Sequence, residues 1–486
     1  MILPSKMIPL TKSLFMNGEQ CTKLLWYAQR KELPEITLSD RHKFTQGRDF
    51  EKYVKKLFPD GVDLSELKNE DNIKETQKLT GKKKTIFEAG FQSQDLFVKN
   101  DILEPVNGGW NLYEIKASTE VKPEHIPDLA FQKYVCEKVG LKIKKCFVLF
   151  LNKEYTKNGE INPQELVSKK EVTDEVNNVA NLEEHSKKYL AVFQNKTAPN
   201  VSIGKHCNKP HECSLKPMCW AYLPEYNVIQ LTNWRQYWKL FEDGILDIKN
   251  IQKGTKLTDK DQIIKEACDK NKTVVAKEQI KEFLASLNYP LYHLDFETFD
   301  TAVPIFDKSR PYQKIPFQYS LHVQQKDGKI EHFEFLAEGG IDPRPLLLEN
   351  LKNQIGKAGD VIVFNKSFEI TVLTRLAEDF PEHKDWINEV LKRIVDLADP
   401  FKNFYYYNPK QKGQYSIKKV LPSLTGNGYS DLEINNGGDA SMQFFYSNIK
   451  HDLANANEIR KNLLKYCCLD TEGMVWITNE LKKLIK

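Results

Sequence analysis

The run His293-Leu294-Asp295-Phe296-Glu297-Thr298 sets two acids two residues apart in an apolar stretch. In a strand, alternate side chains share a face, so Asp295 and Glu297 point the same way. Two carboxylates held together repel unless a cation lies between them, and hard divalent ions favour clustered carboxylate oxygens. The pair therefore reads as a Mg²⁺ or Mn²⁺ site, although the triplet alone also fits an exposed polar strand face. Two later segments carry further acids. Asp360-Val361-Ile362-Val363-Phe364 reads as a short buried strand that runs through Asn365 into a helix, which places Glu369 in the first helical turn. Near the end, Tyr466 and Asp470 lie four residues apart in an amphipathic stretch, so they stack on one helix face. A central strand, a strand-to-helix turn and a late helix must together position this chemistry.

In the order D-x-E, N-x-x-x-[D/E] and Y-x-x-x-D, the segment from about Tyr292 onward resembles the tyrosine subtype of DEDD 3′–5′ exonucleases, which have an RNase H-like fold. Phosphodiester hydrolysis needs a hydroxide at neutral pH and a stabilised leaving oxyanion, and a metal pair about 3.5–4 Å apart supplies both. The resemblance implies that Asp295, Glu297, Glu369 and Asp470 hold the metals and that Tyr466 orients the attacking water. Glu369 stands where many relatives have Asp, one methylene shorter. Asn365 and Asp396 are expected in supporting positions. Phe317–Val323 and Ile330–Phe335 alternate around Asp327-Gly328, a hairpin signal. Tyr415–Leu421 looks like the capped helix that such enzymes place between their second and third motifs. The aromatic insert Phe401–Lys412 fits either a base-stacking edge or an aromatic core edge.

The first 225 residues contain a second constellation. Asp101 lies on one expected strand and Glu114 and Lys116 on the next, joined by Asn107-Gly108-Gly109. A helix follows with Gln132 and Tyr134, and upstream Glu51 and Glu88 are candidates to complete a metal shell. Around this set lie Cys21 and the turn-rich Cys207, Cys213 and Cys219. Clustered thiols in a reducing compartment bind metal more often than they form disulfides. Their spacing leaves zinc and an iron–sulfur cubane both open, with His206 and His211 as possible substitute ligands. Cys136, Cys146, Cys268, Cys467 and Cys468 lie in apolar contexts that suit small core residues.

An acid, a gap and E-x-K, enclosed by one early and three late cysteines, resembles the RecB-type iron–sulfur nucleases with a PD-(D/E)XK core. The resemblance covers roughly residues 10–225. It implies that Asp101 and Glu114, with Glu51, bind Mg²⁺, that Lys116 stabilises charge or positions water, and that Cys21, Cys207, Cys213 and Cys219 hold a structural 4Fe-4S cluster. Glu88, Gln132 and Tyr134 would support the site. Both halves together, with the stretch Arg310–Tyr319, resemble a bacterial family that fuses these two modules.

The expected architecture is α/β, with a PD-(D/E)XK nuclease-like domain over residues 1–225, a helical connector over 226–288 and an RNase H-like DEDD domain over 289–486. In the connector, Trp234, Tyr237, Trp238 and Phe241 follow helical core spacing. Residues 169–187 read as an exposed helix. A 40% hydrophobic content can build cores, and 71 basic against 67 acidic residues give only +4, no strong nucleic-acid fingerprint. No run approaches the roughly 20 apolar residues of a membrane span, and no phosphate-cradling glycine loop encodes ATP use. The expected function is a cytoplasmic, metal-dependent nuclease on single-stranded DNA or RNA, with a protein partner such as a helicase left open. Its rivals are a binding scaffold with silent sites and a redox sensor built on the cysteines.

Overall fold

Ile86–Ser93, Leu96–Val106 and Gly109–Lys116 are rich in β-branched and aromatic residues and are separated by two-residue turns, so they fold as an antiparallel meander. Gly108 supplies the positive φ of 75° that the second turn needs. A computed structural model describes residues 8–486. The chain divides into two units, one running to Ala221 and including Thr301–Tyr312, the other comprising Tyr222–Asp300 and Gln313–Lys486. The boundary thus falls at 221/222, and the segment expected as a connector belongs to the second unit.

The first unit holds a seven-stranded sheet. Its strands are β1 (Leu10–Thr11), β2 (Val62–Asp63), β3 (Ile86–Ser93), β4 (Leu96–Val106), β5 (Gly109–Lys116), β6 (Ile143–Leu151) and β7 (Val167–Glu171). They run in the order β2-β3-β4-β5-β6-β7, with β1 paired to β4. The longer helices of the unit are α1 (Lys12–Gln20), α2 (Thr22–Gln29), α3 (Leu38–Lys55), α4 (Asn69–Gly81), α5 (His125–Lys138) and α6 (Leu182–Gln194). Phe15 of α1 stacks on Phe131 of α5 at 4.3 Å, and both are fully buried. Burying one such side chain is worth about 1.5–3 kcal/mol. Lys169 and Lys170 lie in β7 and not in a helix, because β6 offers a free edge with which they pair.

The second unit begins with helices α7 (Trp234–Glu242) and α8 (Asp259–Lys270). They enclose a small core of Val228, Leu240, Ile248, Ile264, Phe404 and Tyr407. Trp238 is buried as its spacing predicts, whereas Trp234, at the first helical position, is 50% exposed. Phe401, Phe404, Tyr406 and Tyr407 are buried, so most of the aromatic insert is a core edge, while Tyr405 is half-buried.

The sheet of this unit comprises β8 (Leu291–Phe299), β9 (Ile315–Gln324), β10 (Ile330–Leu336), β11 (Asp360–Val363) and β12 (Ile394–Asp396), in the order β10-β9-β8-β11-β12. The first three are antiparallel neighbours and the last two join β8 in parallel. Gly328, with φ of 93°, turns the β9–β10 hairpin, and the Asp327 carboxylate accepts the Lys329 N–H at 2.9 Å. One sheet face carries Leu294, Phe296, Tyr319 and Leu321, packed with Leu347 and Leu348 of α9 (Arg344–Gln354) and with Leu373 and Leu376 of α10 (Ser367–Asp379). Register puts Asp295 opposite Ser320 and Glu297 opposite Gln318, so the acids share the other face with a polar row of β9. Helix α11 (Ile417–Thr425) follows Ser416, whose hydroxyl makes no cap hydrogen bond although the sequence suggests one. Helix α12 (Ala456–Leu484) lies over the polar face, where Gln318 Nε2 donates to the Leu463 carbonyl at 2.9 Å.

Candidate active site

Asp295 and Glu297 leave β8 on the face that α12 covers, and the four-residue spacing along α12 brings Tyr466 and Asp470 over them. Carboxylate oxygens of Asp295, Glu297 and Asp470 lie within 4.8 Å of one another. Glu369, in the first turn of α10, stands outside that group but acts on Asp295 and Glu297 through its charge. Its Oε2 is buried with no hydrogen-bond partner. Leaving such an oxygen unpaired costs about 1–3 kcal/mol, more for a charged group.

The electrostatics are those of crowded buried acids. Burial, then the charge of Asp470, pushes the Asp295 and Glu297 carboxyls well above their usual range. Burial foremost, with Asp396 and Asp470 adding to it, takes Glu369 up to about 8. Asp470 rises to about 6 through burial, held back by the Tyr429 and Tyr466 hydroxyls and by Lys418. An all-carboxylate set with an unpaired oxygen suits hard divalent ions, and the residues present fit such a group. Asn365 takes a left-handed φ of 73° just before α10, and its N–H donates to Asp396 Oδ1 at 2.8 Å. Asp396 also accepts the Ala398 N–H at 3.0 Å, so it shapes the turn that presents Glu369.

Three neighbours escape the sequence pattern. Tyr429 Oη donates to Asp470 Oδ1 at 2.5 Å, and its ring lies 6.0 Å from that of Tyr466. Lys418 Nζ sits 5.0 Å from the Tyr466 ring centre and is the cation that acts on Asp470, Glu297 and Asp295. Cys467 Sγ lies 3.7 Å from Asp295 Oδ2. Only Lys418 had a signal, as a basic residue at the start of the expected helix before the last motif.

In the first unit, the β4–β5 hairpin brings Asp101, Glu114 and Lys116 together. Lys116 Nζ donates to Glu114 Oε1 and to Asp128 Oδ2, both at 2.6 Å. Gln132 Nε2 donates to Glu114 Oε2 at 2.6 Å and to Asp128 Oδ1 at 3.1 Å, while Asp101 Oδ2 accepts the Ile115 N–H at 2.7 Å. Lys12, at the start of α1, also enters, with its Nζ 2.9 Å from Glu114 Oε1 and 3.6 Å from Asp101 Oδ1. Burial, then the Glu114 charge, raises Asp101. Burial works to raise Glu114 as well, but Lys116 and Lys12 outweigh it and hold that carboxyl below the usual range.

Glu88, in a left-handed conformation within β3, is pushed up by burial and then by the charge of Glu51. Glu51 is itself paired with Lys55 at 2.6 Å. Tyr134 does not join them: two residues from Gln132 on a helix, it faces the hydrophobic core, with Lys138 Nζ 4.8 Å from its ring centre. Asp128 was readable from its four-residue spacing to Gln132, whereas nothing local marks Lys12.

Cys21, Cys207, Cys213 and Cys219 line one cavity with His206. Gln20 Nε2 binds the carbonyls of His206 and His211 at 2.9 and 2.8 Å, which ties α1 to the cysteine loop. Cys136, Cys146, Cys268 and Cys467 are buried elsewhere, and Cys468 is half-buried.

These features define a mixed α/β protein with two buried carboxylate sites. Residues 292–416 match the profile of a domain of unknown function (DUF2779), a stretch that includes Asp295, Glu297 and Glu369 and ends before Tyr466 and Asp470. The chain is 28% identical over 243 residues to the uncharacterized protein UU173 of Ureaplasma parvum serovar 3, covering 44% of this chain and 34% of that one. It is 28% identical over 253 residues to the uncharacterized protein MG366 of Mycoplasma genitalium, covering 47% and 37%. A Mycoplasma pneumoniae homolog of the latter is 26% identical over 241 residues, covering 45% and 36%. The matched stretch thus spans about a third of the length of these curated relatives. Among the described residues, no helix is long and apolar enough to cross a membrane.

Proposed function

We propose that this chain is a divalent-metal-dependent nuclease that trims single-stranded DNA or RNA from the 3′ end at the site of its second unit. One observation carries the reading: Asp295, Glu297 and Asp470 converge within 4.8 Å in a buried site beside Tyr466, with the unpaired Glu369 oxygen nearby. Without a cation such a cluster only costs stability, and Lys418 alone does not balance four acids. Bound Mg²⁺ or Mn²⁺ would supply Lewis-acid activation of water and of the leaving oxygen. The chain's own groups do the rest. Asp295, Glu297, Glu369 and Asp470 would hold the ions, the Tyr429 hydroxyl fixes Asp470, and Tyr466 would orient the water. A central β8 flanked by an antiparallel β9–β10 hairpin supports the RNase H-like reading.

In the first unit, the hairpin bearing Asp101, Glu114 and Lys116, followed by a helix bearing Gln132, supports a PD-(D/E)XK reading. Lys12 favours a qualification, because its ammonium neutralises the same two carboxylates that would ligate metal. We read this site as silent until Lys12 withdraws. Cys21, Cys207, Cys213 and Cys219 line one cavity, which supports a metal held by four thiolates there, an iron–sulfur cluster with zinc as the alternative.

The test compares Asp470→Asn with Lys116→Ala for Mn²⁺-dependent nucleotide release and for strand binding. Asp470→Asn is expected to bind strands and release nothing, while Lys116→Ala keeps the trimming. Undiminished release by Asp470→Asn would refute the assignment.

A further inference from the structure

The polar face of the second sheet carries a second cluster, with donors of a different kind. One ring nitrogen each of His322 and His332 and the Cys468 sulfur lie within 4.8 Å of one another. They come from three elements: β9, β10 and α12. His322 and His332 oppose each other across the strand pair, with ring centres 4.2 Å apart.

Hydroxyl groups hold one nitrogen of each ring. Thr471 Oγ1 lies 2.8 Å from His322 Nδ1 and 2.6 Å from Ser320 Oγ, and 3.1 Å from the Cys468 carbonyl. Ser320 Oγ in turn lies 3.0 Å from His332 Nε2. His322 Nε2 and His332 Nδ1 stand outside this hydroxyl network. An imidazole anchored through one nitrogen with the other nitrogen bare is the arrangement that metal-ligating histidines adopt.

We propose that His322, His332 and Cys468 bind one borderline divalent transition metal, of the class of Zn²⁺, which staples α12 to the β9–β10 hairpin. Two imidazoles and a thiolate select zinc-like ions over Mg²⁺ or Mn²⁺, so this site is chemically separate from the carboxylate cluster and does not rest on the nuclease reading. Bonds of about 2.1–2.3 Å set tetrahedral ligand atoms about 3.3–3.8 Å apart, and the two rings, stacked with planes 20° apart, turn about their side-chain torsions to aim both lone pairs at the ion. Ligation replaces the S–H bond with a sulfur–metal bond and releases the proton to solvent. His332 is exposed, which gives the ion a way in. Cys468 lies midway between Tyr466 and Asp470, so the staple fixes the helix turn that carries both.

The test is site-resolved alkylation of the metal-stripped full chain, read by mass spectrometry, with and without Zn²⁺. Zn²⁺ is expected to slow modification of Cys468 by about tenfold in the wild type, because a ligated thiolate is no longer a free nucleophile. In His332→Ala and His332→Gln that protection should vanish. Cys467 is fully buried and should stay unreactive throughout, which reports that each variant is folded. Equal reactivity of wild-type Cys468 with and without Zn²⁺, or full protection in a folded His332 variant, would overturn the proposal.

Discussion

Replacing Glu369 by Gln removes a carboxyl that burial takes from 4.5 to about 8 while keeping its shape. Between those values the folded protein holds a proton that the unfolded chain has released. Stability therefore falls as pH rises, by about 1.4 kcal/mol per unit for this group. From pH 5 to pH 8 that amounts to about 4 kcal/mol, present at the acid end and lost at the alkaline end. The Gln variant has no such proton, whereas Asp295, Glu297 and Asp470 are present in both proteins, so the difference between the two profiles isolates Glu369. In urea titrations with EDTA, the gap between variant and wild type should widen in favour of the variant by about 4 kcal/mol across that range. Saturating Mn²⁺ should narrow that gap by about 2.7 kcal/mol, the stabilisation that an ion at 100 times its Kd gives the protein that binds it best. Parallel pH profiles for the two proteins, or equal stabilisation of both by Mn²⁺, would refute the reasoning.

Tyr429→Phe removes the hydroxyl that holds Asp470 down, so Asp470 should ionise above about 6 and the acid limb of the pH–rate profile should move to higher pH, with more activity lost at pH 6 than at pH 8. Lys12→Met should tighten Mn²⁺ binding in the first unit by about tenfold, or roughly 1.4 kcal/mol, measured calorimetrically in an Asp470→Asn background; unchanged affinity would show that Lys12 does not compete. Cys213→Ser should abolish the visible absorbance of an iron–sulfur cluster and lower the melting temperature of the first unit. Colourless wild-type protein containing zinc would contradict that assignment.

The parts of the site legible in the sequence are those set by local periods. Asp295 and Glu297 share a strand face, and Tyr466 and Asp470 share a helix face, because periods of two and of nearly four dictate it. The β4–β5 and β9–β10 hairpins were legible because their turn residues are specific. Tyr429, brought in by the loop after α11, and Lys12, more than a hundred residues before Glu114 in the chain, obey no local period and were invisible. Tyr134 shows the opposite failure: proximity to Gln132 in sequence puts it on another helix face. Lys169 and Lys170 read as helical, but the edge of β6 recruits them into a strand. Phe404 and Tyr407 lie among lysines, and only packing in the cluster of Val228 and Ile264 decides that they are core.

The most direct test of the central claim is a time course of 5′-end-labelled single-stranded DNA and RNA with Mn²⁺ and anaerobically purified protein, run beside Asp295→Ala. A ladder that shortens from the 3′ end with the wild type alone is the predicted result. An intact strand in both lanes, or the same ladder from Asp295→Ala, would contradict it.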